Sequence, residues 1–167
     1  MNYTSVLLAA AFSTFSASAS AQTSVAVKDA TEIHSTLDGI QSAWNHHDMK
    51  AFVSFMTDDV EWINIVGMHW RGKAQVFRAH DRMHQAAFKD RQWHDAESTT
   101  LRQIAPSVVL ATEAVLMDGF RAPDGSLTPP SRNMLTLVLV HLGGRWLISQ
   151  GHNTIIDPQA AAHDPGK

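Results

Sequence analysis

The second half of the chain reads almost wholly as strand. Four stretches carry β-rich or alternating patterns: about Trp93–Ile104, Val108–Phe120, Asn133–Leu142 and Trp146–Ile156. "APDGSLTPPS" and Gly143-Gly144 read as the turns between the last three. The helical patterning lies ahead of them. "TEIHSTLDGIQSAWN" sets Ile33, Leu37, Ile40 and Trp44 at steps of four, three and four, one apolar stripe on a helix. Asp48 is placed to cap a short second helix carrying Phe52, Phe55 and Met56. Thr57–Asp59 reads as a turn, and "VEWINIV" as a strand with Trp62 and Asn64 on one face. A third helix is expected from about Ala74 to Phe88. Helices gathered before a run of strands argue for an α+β fold rather than alternating βαβ units. A curved, mainly antiparallel sheet wrapped around the N-terminal helices makes a cone-shaped, half-open barrel.

The 167 residues, 44% hydrophobic and 17% charged, suffice for one domain with a real core. The net charge of −3 gives no basic surplus for nucleic acid. A short apolar run from Val6 to Phe15, then Ala19-Ser20-Ala21, reads as a secretory signal peptide over residues 1–21, cut before Gln22. The run is too short to span a bilayer, so no membrane association is expected once the leader is gone. Residues 22–30 then read as a flexible lead-in, 31–157 as a single domain and 158–167 as a frayed tail. With no cysteine there is neither a disulfide framework nor thiol chemistry, and a periplasmic or secreted location fits.

"RAHDRMHQAAF" puts two histidines four residues apart, close to a zinc-protease signature with Asp81 in place of the glutamate. In the third helix Val76, His80, Met83, His84 and Ala87 share one stripe, so both imidazoles face the apolar side. A buried imidazole without a partner costs about 1–3 kcal/mol, so something polar must stand opposite. Zinc would need a third ligand, which His152 could supply, and the protease form would need a base where Asp81 points outward. Core histidines satisfied by neighbours or water are the plain alternative. The remaining reading is a lined cavity with imidazoles that move protons. In "RWLISQGHNT", period two sets Trp146, Ile148, Gln150 and His152 on one face. If that face is concave, His152 looks at the helix histidines.

Taken together, "WNHHD", "TDDVEWINIVG", "HWRG", "AH" at Ala79-His80 and "RWLISQGHNT" form a pattern that resembles the nuclear-transport-factor-2-like superfamily, in its SnoaL-like branch (the SgcJ/EcaC family). The resemblance covers roughly Glu32 to Ile156. It implies a conical α+β barrel with a pocket between sheet and long helix, and a homodimer through the open sheet face. Relatives on this fold include isomerases, dehydratases, epoxide hydrolases, polyketide cyclases and non-catalytic binding or association domains. Several use an aspartate base inside the cone, and no carboxylate can be placed there from this sequence. No G-x-G-x-x-G follows a strand, so no dinucleotide site of that type is expected, nor any other cofactor or metal. Two readings follow. One is an exported enzyme acting on a small apolar molecule by acid–base chemistry, with His80, His152 and Asn64 catalytic and Trp62, His84, Trp44, Gln150 and Phe120 lining the ligand. The other is a non-catalytic protein that captures such a molecule, or a dimeric interaction module.

Overall fold

The computed structural model describes residues 24–122 and 124–166. The expected leader, 1–21, lies outside them. The first helix, α1 (Val27–Asn45), begins earlier than the apolar stripe and takes in part of the expected lead-in. Its stripe is buried as the spacing requires, with Ile33, Leu37, Ile40 and Trp44 against the sheet. Each such side chain contributes about 1.5–3 kcal/mol relative to exposure. The second helix, α2 (Met49–Ser54), starts at Asp48, whose carboxylate accepts the Ala51 N–H at 2.9 Å. The third, α3 (Lys73–His84), ends one turn short of expectation and buries Val76, His80 and His84.

The strands are β1 (Met56–Ile63), β2 (His69–Arg71), β3 (Trp93–Asp95), β4 (Thr100–Ala105), β5 (Val108–Met117), β6 (Phe120–Arg121), β7 (Leu127–Thr128), β8 (Ser131–Leu142) and β9 (Arg145–Ile155). The main sheet runs β2-β1-β9-β8-β5-β3, with β4 also on β5; its pairs are antiparallel except β1 with β9. The result is the α+β cone anticipated above, a curved and unclosed sheet with helices inside its curve. Among the described residues no helix is long and apolar enough to cross a membrane.

Three local expectations are corrected. Thr57–Asp59 lies inside β1 and not in a turn; there the pairing with β9 shifts register between Met56 and Glu61. The strand expected over Trp93–Ile104 splits in two, because the successive N–H groups of Ala96 and Glu97 both donate to the Ala114 carbonyl. Part of the tail is ordered as a short helix, α4 (Pro158–Ala162), capped by the Asp157 carboxylate accepting from the Gln159 and Ala160 amides.

The register of β9 decides which residues face the cone. Val138 pairs with Gln150 but Leu139 pairs with Ile148, so Ser149 is an extra residue in a β-bulge. Trp146 and Ile148 point inward before it; Gly151 is buried after it. The bulge therefore reverses the alternation, and His152 is exposed on the outer side. Gly151 is needed where it stands: a Cβ there would lie 2.4 Å from Cε3 of the Trp62 ring.

Candidate functional site

Between α3, the Phe88–Trp93 segment and the inner sheet lies a cavity of about 540 Å³, within the usual range for small-molecule sites. Its walls are largely aromatic and aliphatic, with Trp44, Phe52, Trp62, Trp70, Phe88 and Phe120 prominent. His80 enters this wall from α3. Only 6% of the residue is exposed, and Trp44, Phe52, Trp62 and Trp70 surround the imidazole at centroid distances of 5.9, 4.9, 5.7 and 5.2 Å. Its Nδ1–H donates to the Val76 carbonyl oxygen at 2.9 Å. A carbonyl can only accept, so the neutral ring carries its proton on Nδ1 and keeps the lone pair on Nε2. Burial pushes the His80 pKa down to about 4, against the smaller opposing effect of the Val76 bond. At neutral pH His80 is an uncharged base bordering an apolar cavity.

The other lining polar groups come from the strands. Asn133 on β8 is 1% exposed, and Asn153 on β9 follows the bulge. Neither amide has a partner among the described residues, and the unsatisfied oxygen of each is fully buried. Asn64 also borders the cavity, but its Oδ1 is occupied, accepting the Val66 and Met68 amides at 3.1 and 2.9 Å. It shapes the turn after β1, leaving only Nδ2 for a ligand.

Arg91 is a functional residue that the sequence patterns do not single out. It is 4% exposed and lines the cavity. Its guanidinium lies 4.8 Å from the Phe88 ring centroid and 4.9 Å from that of Phe120. Nε donates to the Asp118 carbonyl at 2.9 Å and Nη2 reaches Ser131 Oγ at 3.4 Å. Burial lowers its pKa while the Asp118 charge opposes the shift; an arginine stays protonated regardless.

The structure thus brings His80, Asn64, Trp44, Trp62 and Phe120 together around one space. His84 is not among the lining residues: it stacks edge-on at 4.3 Å against Trp44, and its Nδ1 meets His47 Nδ1 at 2.7 Å. Burial first, then repulsion from Arg91 and from the His47 and His80 rings when these are protonated, pushes its pKa down to about 3. Gln150 and His152 lie outside the cavity because of the Ser149 bulge. Among the described residues no group of three or more His, Asp or Glu is arranged to hold a metal ion.

A second, smaller hollow lies beyond Trp93, where Glu113 is buried and donated to by Thr99 Oγ1 at 3.2 Å. Burial raises the Glu113 pKa to about 7. These shifts predict an acid-sensitive fold. Between about pH 4.5 and 6.5 unfolding adds a proton to each of His80 and His84 and releases one from Glu113. The net uptake of one proton makes stability fall by up to about 1.4 kcal/mol per pH unit as pH drops through that window. Urea titrations at several pH values check this, and Glu113→Gln should steepen the slope. A flat profile would contradict the buried, neutral imidazoles.

Residues 38–126 match the family model described as the SnoaL-like domain. A solved structure of an uncharacterised protein with a cystatin-like fold from Caulobacter vibrioides is 34% identical over 83% of this chain and 97% of its own, with a TM-score of 0.78. A ketosteroid isomerase-like protein from Erwinia carotovora atroseptica is 16% identical over 79% of this chain and 99% of its own, TM-score 0.66. A Novosphingobium aromaticivorans protein, provisionally named a scytalone dehydratase, is 10% identical over 78% and 86%, TM-score 0.67. The last two likenesses are of fold. No curated protein matches the chain. With its cone, its cavity and more than half its length matched, the chain belongs to the SnoaL-like domain family.

Proposed function

We propose that the protein is a small-molecule enzyme that moves a proton next to a carbonyl group on a largely apolar cyclic substrate. His80 is its general base. One observation carries this reading: Nδ1–H is tied to Val76, so the free lone pair of the neutral imidazole is on Nε2, in a residue that lines the cavity. The carboxylate that several relatives supply is then unnecessary. A conjugate acid at about 4 makes His80 as strong a base as an ordinary aspartate, also about 4. In the step, the C–H bond breaks, its proton goes to Nε2, and its electron pair moves onto the carbonyl oxygen. The Nδ2–H groups of Asn133 and Asn153, two residues that line the cavity, supply donors for that oxyanion, each such donor being worth about 3 kcal/mol when pre-placed in a dry site. Where a double bond is conjugated with the enolate, return of the proton to its far carbon isomerises the substrate. Where a β-hydroxyl is present, the enolate's electron pair re-forms the carbonyl, the Cβ–O bond breaks and His80 gives its proton to the departing oxygen, releasing water.

Deuterium exchange tests the reaction. 2-Tetralone, a planar ring ketone of fitting size, should exchange its α-protons in D2O faster with protein than with buffer alone, followed by NMR. Binding of 2-tetralone without any exchange would favour the non-catalytic carrier instead. We extend the proposal to an exported homodimer paired through the outer sheet face, where Leu116 and Ile155 are exposed. Mass spectrometry and light scattering on exported protein should give a chain starting at Gln22 and twice its mass; retained leader or a monomer would overturn either point.

A further inference from the structure

The reaction proposed above needs no fixed positive charge, yet one is buried in the cavity wall. Arg91 sits in the wall at 4% exposure, and no carboxylate lies within ion-pair distance of it among the described residues. The acidic group whose charge acts on it is Asp118, whose carboxylate accepts from His94 at 3.1 Å while its main-chain carbonyl takes the Arg91 Nε–H. With Nε and Nη2 engaged, Nη1 is left without a partner. The rings of Phe88 and Phe120 hold the guanidinium and shield it from water. A buried cation of this kind is costly unless an anion answers it. The other lining cation, Arg82, is exposed on α3.

We propose that the ligand of this cavity carries a carboxylate, which pairs with Arg91 while its cyclic body fills the aromatic space toward His80. The substrate class is therefore a small cyclic or aromatic keto acid. Charge counting in the buried wall selects the carboxylate: one negative charge neutralises the one guanidinium there, Arg82 being exposed to solvent. A phosphate dianion would leave a surplus charge in a cavity whose walls are mainly apolar. A neutral carbonyl would leave the arginine with only the Asp118 charge, which lies beyond ion-pair distance. Nη1 and the second hydrogen of Nη2 still form an end-on fork that matches two carboxylate oxygens. This inference deepens the proton-transfer reading and concerns the same cavity, but it is tested by binding alone.

The probes are 2-naphthoate and its neutral isostere 2-naphthamide, titrated into the full mature protein with tryptophan fluorescence and calorimetry. The naphthoate should bind at least about tenfold more tightly. Arg91→Met, which keeps the packing but not the charge, should erase the preference; Arg91→Lys should restore part of it. His80→Asn should leave it intact, because that residue does not hold the anion. Equal binding of the two probes by the unaltered protein would overturn the inference without any variant, and so would a preference that survives Arg91→Met. Exchange of 2-tetralone with no naphthoate preference sinks the carboxylate site and leaves the reaction; a preference without exchange does the reverse.

Discussion

Replacing His80 by asparagine is expected to lower the protein-catalysed α-proton exchange of 2-tetralone by about 10²–10⁴-fold, the usual contribution of a general base. Asparagine can still donate to the Val76 carbonyl, so it preserves the Nδ1–H contact of the native ring. What it removes is the lone pair on Nε2. Loss of rate with little change in 2-tetralone affinity therefore assigns the effect to chemistry and not to packing. Exchange by the unaltered protein should hold level from neutral pH down toward about 5 and fall as His80 gains its proton near 4. His152→Ala should leave the rate unchanged, since that side chain is exposed on the far side of β9. A large loss at His152, or none at His80, would relocate the reaction centre.

Gly151→Ala carries the largest expected effect on stability. The added Cβ would stand 2.4 Å from Trp62 Cε3, 2.5 Å from Cζ3 and 2.9 Å from Cδ2, a rigid ring with no flexible end to swing away. Trp62 is 4% exposed and packs against Phe52 and His80, so it cannot move without disturbing both. Overpacking of this kind costs about 1–3 kcal/mol, or a fall in Tm of about 2–4 °C for each kcal/mol in a domain of this size. Displacing Trp62 also narrows the cavity, so 2-naphthoate affinity should fall with it. Adding Trp62→Phe should recover part of the lost stability, giving a favourable coupling energy in the double-mutant cycle. If Gly151→Ala melts like the native protein, the contact between strand and ring is looser than described.

Much of this architecture is legible in the sequence, because it rests on long periodic segments. The α1 stripe, the Asp48 cap and the inward turn of His80 follow from a helical period that packing then confirms. The order of helices and strands fixes the α+β class, and the quoted motifs point to the family. The site is less legible, and the reasons are specific. Period two put Gln150 and His152 inside, but one additional residue at Ser149 reverses every side chain after it. No local residue type announces that bulge; only the buried Gly151 beneath Trp62 hints at it. The same reversal is what brings Asn153 inward. Arg91 lies ahead of the strand pattern that begins at Trp93, yet the buried residues 91 and 93 share one side of the chain. Asn133 shares its parity with the buried Leu135, Leu137 and Leu139, and that was a usable sign of a polar group facing the cone. Asn64 shares a strand face with Trp62 and so reads as a site residue, whereas its side-chain oxygen is spent on the turn.

The claim on which the mechanism stands is that His80 is a neutral imidazole protonated on Nδ1. Nitrogen-15 NMR of the histidine rings reads this without any substrate. Across a titration from pH 8 to acid, His80 should show a protonated, pyrrole-type Nδ1 and an unprotonated, pyridine-type Nε2 until the pH approaches about 4. A ring at this position that carries its neutral proton on Nε2, or that becomes charged near the ordinary histidine value of about 6.5, would contradict the account.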